Sequence, residues 1–167
     1  MRARIAIPNE FELKSIEDFL ALIFDDNSGK DYVERRIGIA KTLLERLRNK
    51  KETHVEDWLE VILEYLGYED ILEHYHELLR EFEEGKISKT RINKIIEREI
   101  TRRLREEGKD FTAAALRNDF FVVKDTLIDL KIITRTSGRL NLARDYTFAD
   151  GLTELIKFYS KWRSGEI

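Results

Sequence analysis

The chain has no cysteine, one proline, one methionine and three histidines among its 167 residues. Without cysteine there is no disulfide framework and no thiolate for nucleophilic or metal chemistry. Proline stands only at position 8, and eight glycines are few, so little interrupts a helix. No apolar run approaches the roughly 20 residues that span a bilayer. The opening Met1–Pro8 is too short and too interrupted for a secretion signal, and a cytoplasmic protein with no membrane contact is expected. Also missing are a glycine-rich phosphate loop, a nucleophile elbow and a cysteine–histidine pair. The expectation is therefore no enzyme, no catalytic residue and no cofactor. His74 and His76 sit about 200° apart on a helix and cannot chelate one metal together. The acidic run Asp25-Asp26-Asn27-Ser28-Gly29 lacks the ligand spacing of a calcium loop and reads as a surface turn.

Charge is what the chain has in quantity: 38% of residues are charged, beside 42% hydrophobic and 10% aromatic. That balance favours folding over disorder and suits a thermophile. The net charge of −3 hides a division. Residues 1–84 hold 12 basic and 21 acidic side chains, a balance of −9, and residues 85–147 hold 15 and 9, a balance of +6. An acidic half joined to a basic half either neutralises itself or offers its basic part to a polyanion.

Apolar residues recur at helical spacing through most of the chain. Residues 2–7 read as a short strand or extended arm. Helices are expected from about Glu10 to Phe24, Asp31 to Lys51, after a Thr53 cap to Leu66, and from Tyr68 to Glu84. Gly67 and Gly85 end the last two. A fifth helix runs from Ser88 or Thr90 to Glu107, and a sixth from Phe148 to Trp162 with Leu152, Leu155, Ile156 and Tyr159 at core spacing. On the fifth, Arg91, Lys94, Arg98, Arg102 and Arg105 fall within about an 80° arc, while Ile92, Ile95, Ile96 and Ile100 lie mostly elsewhere and would face the core. Five cations on one stripe repel one another by a few tenths of a kcal/mol per close pair, and a phosphate backbone would relieve them. A solvated face, or one paired with the acidic half, is the plainer reading.

Between Asp110 and Arg144 the pattern changes. Thr112-Ala-Ala-Ala-Leu-Arg reads as a short helix, Asn118-Asp119 as an interruption with Asp119 an N-cap, and Phe120, Val123, Leu127 and Leu130 as a second helix. Ile132–Thr136 and Arg139–Leu142 then flank a Ser137-Gly138 turn. Helix, turn, helix, hairpin, and above all the run Leu127-Ile128-Asp129-Leu130-Lys131-Ile132-Ile133, resembles the winged helix-turn-helix superfamily over residues 88–147. Arg117 and Lys131 stand where such proteins often carry glycine.

The helical spacing of the first half and the resemblance of residues 88–147 together imply a mainly α protein. Residues 1–87 would be an acidic helical bundle, 88–147 a winged-helix unit with a small hairpin wing, and 148–167 a helix packed on the body or on a dimer partner. The resemblance implies a transcription-regulator-like protein that binds double-stranded DNA through the basic stripe and the wing residues Arg135 and Arg139. Lys124 and Thr126 would be the nearest groove contacts. Asp125 and Asp129 face outward on the same helix and would meet phosphate repulsion, so backbone contact is the firmer expectation. A homodimer and a protein partner for the acidic half are the other expected contacts. The rival reading is an adaptor docking a protein through Phe121 and Ile128, and RNA binding is a third.

Overall fold

Polar caps begin several helices and glycines end others. Ser15 accepts the Asp18 N–H at 3.1 Å while the Asp18 carboxylate accepts the Ser15 N–H at 3.0 Å, a reciprocal box that starts α1 (Ile16–Phe24). The computed structural model describes residues 13–26 and 28–166, so the expected arm at 2–7 and the first residues of the expected first helix lie outside it. After α2 (Asp31–Arg48) come a 3-10 turn (Val55–Asp57), α3 (Trp58–Leu66) and α4 (Glu69–Glu83). Then follow α5 (Lys89–Glu106), α6 (Ala113–Asp129), the strands β1 (Ile133–Thr136) and β2 (Arg139–Leu142), and α7 (Asp145–Ser164). Gly67 closes α3 at φ +70°, a left-handed position with little cost to glycine.

One apolar cluster runs through both halves of the chain. It joins Leu20 of α1, Ile39 and Leu43 of α2, Leu59 and Ile62 of α3, and Tyr75 of α4. Ile92, Ile96, Ile100 and Leu104 of α5, Leu116, Phe120 and Leu127 of α6, and Ile133 and Leu140 of the hairpin complete it. The helix α2 packs on α1, α3 and α6, and α5 lies between α4 and α6. The boundary expected at 87/88 therefore falls between two helices that pack together, and the core continues across it.

The expected break at Asn118-Asp119 is absent: α6 is one helix of 17 residues, capped by Thr112, which accepts the Ala115 N–H. Asp119 is no N-cap. It is buried, and its carboxylate accepts hydrogen bonds from Arg35 Nε at 2.8 Å and Arg36 Nε at 3.0 Å, both from α2. Arg117 accordingly lies within the helix and not at a turn. Lys131 does adopt the left-handed conformation, at φ +61°. Its N–H reaches Ile128 O at 2.9 Å and the Ile132 N–H reaches Leu127 O at 2.9 Å, the paired bonds of a Schellman ending.

The two-residue Ser137-Gly138 turn has positive φ at both positions, 50° and 81°, which matches the right-handed twist of the strands it joins. The strands pair Ile133 with Leu142 and Thr136 with Arg139. The other edge of β2 is also engaged: Leu140 N–H donates to Thr53 O at 2.8 Å and Val55 N–H to Gly138 O at 2.9 Å. That extended pairing is why Thr53 does not cap α3. Its hydroxyl instead accepts from Arg46 Nε at 3.3 Å and donates to Lys51 O at 3.1 Å, and α3 starts only after the 3-10 turn.

The last helix departs most from expectation. At its start the Phe148 ring meets Phe19 of α1 edge-on, 5.8 Å between centroids. Beyond it every residue of α7 is exposed, including Leu152, Leu155, Ile156 and Tyr159, which the spacing assigns to a core. None of the described helices is long and apolar enough to cross a membrane.

Candidate nucleic-acid interface

The fifth helix divides its surface as its periodicity requires. Ile92, Ile96, Ile100 and Leu104 are fully buried, while Arg91, Lys94, Arg98, Arg102 and Arg105 are all exposed. The Ser88 hydroxyl caps the helix by accepting the Arg91 N–H at 3.3 Å. No residue of its first turn is acidic, so the positive end of the helix dipole adds to the cations.

Where the acidic half meets α5, it does so on other residues. Arg103 Nη1 lies 2.6 Å from Asp70 Oδ1, His74 Nδ1 lies 3.1 Å from Glu99, and the Tyr68 hydroxyl donates to Glu107 at 2.7 Å. Burial, and then the bond to the Glu107 carboxylate, push the Tyr68 phenol well above its ordinary range. The stripe itself is left largely unpaired. Among the described residues Arg91, Lys94, Arg98 and Arg105 have no ion pair within 4.0 Å, and Arg102 has only an exposed contact to Glu106 at 3.7 Å. Such a surface pair contributes little.

An open cleft of about 460 Å³ lies along this face, lined by Lys94, Arg98, Arg102 and Arg105, by Glu97 and Thr101, and by the start of α6 at Thr112–Ala114. Thr101 Oγ1 accepts the Ala113 N–H at 3.1 Å and so ties the two helices together at the cleft. One turn further along α6, Arg117 and Asn118 are exposed beside Ala114. The Arg117 guanidinium lies over the rings of Trp58 (5.4 Å) and Phe121 (5.9 Å). In the sequence Arg117 and Asn118 mark the junction of two short helices, which hides both as surface contacts.

The other expected contacts are placed differently. Lys124 is buried, its side chain only 8% exposed, with Nζ 2.8 Å from Asp125 Oδ1 and over the Phe121 ring. It is not a free cation for a groove. Thr126 is half-buried. Arg135 and Arg139 are exposed on either strand of the hairpin, with Arg139 bridged through its backbone to His54. Phe121 and Ile128 are partly buried against the core, which accounts for the second apolar stripe of α6 without a docked protein. Among the described residues no group of three or more His, Cys, Asp or Glu side chains could hold a metal.

The arrangement can attract and align a row of anions along α5. Comparison with protein-family models, with curated proteins and with solved structures finds no match to this chain.

Proposed function

We propose that this protein binds double-stranded DNA, with α5 lying along a phosphate backbone and the exposed hairpin arginines Arg135 and Arg139 adding electrostatic contacts. The observation that carries the reading is the stripe Arg91, Lys94, Arg98, Arg102 and Arg105: exposed, with no ion pair within 4.0 Å except one surface contact, and bordering an open cleft. Five like charges held at helical spacing are a cost to the free protein, and a polyanion relieves it.

On this reading the helix-turn-helix lies one element earlier than the sequence implied. It runs α5, a short connection, α6 and then the hairpin, with Lys131 in the left-handed position at the end of α6. On that register α6 meets the groove through Ala114, Arg117 and Asn118 in its first turns, not through Lys124. Arginine and asparagine are the side chains that pair bidentately with guanine and adenine edges. Asp125 and Asp129, exposed further along α6, turn its later part away from DNA. A regulator of transcription is the role we assign on this basis.

The test is a fluorescence-anisotropy titration with random duplex DNA at several salt concentrations. Five phosphate contacts from α5 and two from the hairpin arginines predict a log–log salt slope of roughly −6. Arg98→Glu with Arg102→Glu should reduce the slope by about 2 and abolish most of the affinity. Unchanged binding by that double variant refutes the assignment. Arg117→Ala with Asn118→Ala should weaken any sequence preference while leaving the salt slope of random duplex unchanged.

A further inference from the structure

Among the described residues most of the exposed large hydrophobic side chains lie on α7. Leu152, Leu155, Ile156, Phe158, Tyr159 and Trp162 are each between 37% and 66% exposed. With maximal areas of roughly 150–250 Å² for each aromatic side chain, the six leave on the order of 700 Å² of largely apolar surface open. Monomers rarely expose contiguous apolar patches beyond a few hundred Å², and a stable interface covers about 800 Å² per partner. The area is thus close to what one side of a dimer needs.

The order of these residues specifies the kind of partner. Leu152, Leu155, Tyr159 and Trp162 follow one another at intervals of three, four and three, the seam of a helix that packs lengthwise on another helix, while Phe148 one turn earlier is already packed on Phe19 of α1. Ile156 and Phe158 flank the seam and widen it, as a broad helix pair or bundle requires. The charges of α7 do not border this seam: at about 100° per residue Asp150, Glu154, Lys157 and Lys161 fall on the opposite face, and Glu154 pairs with Lys157 of its own helix at 2.8 Å. Antiparallel pairing of two copies leaves those charges in water and opposes the two helix dipoles favourably. A two-fold axis across the pair then presents the same apolar seam from both copies.

We infer that α7 is a dimerisation helix that pairs antiparallel with α7 of a second copy of this chain, the two-fold axis passing near Leu155. On this register Leu152 of one copy lies across from Tyr159 of the other. The interface does not depend on the DNA-binding reading. The cations of α5 are on a different helix, and either proposal can fail alone.

Light scattering coupled to gel filtration, at micromolar concentrations of the full chain, should return twice the monomer mass. Leu155→Glu with Tyr159→Glu should raise the dimer dissociation constant on the order of a hundredfold or more. Its helical circular dichroism should show the body of the protein intact, because both side chains are exposed in the single chain. The absence of native cysteine allows an orientation test. Under mild oxidation Leu155→Cys should form an intermolecular disulfide with its own counterpart. Trp162→Cys should not, because its two copies would lie about 20 Å apart and a disulfide needs Cα atoms within about 7 Å.

A monomeric parent overturns the proposal. If the cysteine at 155 is then shielded from thiol reagents, another part of the chain covers α7, and if it is reactive the surface serves a different partner. A dimer that survives the double glutamate variant overturns it as well. Trp162→Cys cross-linking as readily as Leu155→Cys makes the pair parallel and refutes the stated geometry.

Discussion

Replacing Asp119 with alanine separates two physical accounts of the same residue. An N-cap is worth about 1 kcal/mol. A carboxylate buried between two arginines is worth more, because removing it strands charge. The Asp119 side chain is 4% exposed, and Arg35 and Arg36 are 13% and 12% exposed as they donate to its two oxygens. Breaking a buried pair by deleting one partner costs roughly 3–5 kcal/mol. Here the value should fall near the lower end, about 3 kcal/mol, since both guanidiniums retain some water and lie over the rings of Phe111 and Tyr32. Urea unfolding at neutral pH should show a lower midpoint with an unchanged slope, which assigns the loss to stability and not to compactness. The same loss lowers the melting temperature by about 6–12 °C for a chain of this size. Arg36→Ala alone should cost less, about 1–2 kcal/mol, because Arg35 still neutralises the carboxylate. Adding salt should change these differences little, as a buried pair is poorly screened. A loss of 1 kcal/mol or less for Asp119→Ala would refute the account and return the residue to an ordinary polar position.

Three other perturbations test the packing. Gly38 lies where α2 meets Tyr65, and a Cβ there would come 2.3 Å from the ring at Cε2. Gly38→Ala should therefore destabilise by about 1–2 kcal/mol despite alanine's better helix propensity, and should become stabilising in a Tyr65→Ala background; additive effects in that cycle would sink the close-approach argument. Lys131→Gly should raise stability by about 0.5–1 kcal/mol by relieving the left-handed strain at φ +61°, read from the urea midpoint, whereas a β-branched residue there should lower it. Glu64 is subject to burial, which raises its carboxyl pKa, but the Arg46 guanidinium 2.6 Å away, with Lys51, outweighs it and holds the group below its ordinary 4.5. The stability this contributes is present above pH 4.5 and is lost as pH falls through the lower folded value. The midpoint difference between the parent and Glu64→Gln should accordingly shrink below pH 4.5, and a constant difference would contradict the ion-pair origin.

Legibility in the sequence followed the range of the interactions. The division of α5 into an isoleucine face and a basic face was readable because both obey the 3.6-residue period within one segment. The hairpin was readable because its turn residues and alternation are local. Asp119 was not, since what makes it compatible with a helix interior is a pair of arginines more than eighty residues earlier. Asparagine and aspartate together disfavour a helix by about 1 kcal/mol relative to alanine, and the buried ion pair outweighs that preference. Thr53 misled for a related reason: its carbonyl is claimed by Leu140 of the hairpin. Lys124 carries no local mark distinguishing it from a solvated lysine; the neighbouring Phe121 ring and Asp125 draw it in. In α7 the seam spacing was visible, but spacing alone does not say whether the covering surface belongs to the same molecule.

The segment at Thr53–Val55 has a consequence for the protein's behaviour in a crowded solution. A two-stranded ribbon leaves hydrogen-bonding groups along its flanks that invite strands from neighbouring molecules to add on. By holding the Leu140 amide and the Gly138 carbonyl, three residues from a helix connection close one flank without a third full strand. Prying that short stopper loose, by a proline at position 55 that removes its amide donor, would open a templating edge and turn a soluble ribbon into a seed for aggregation.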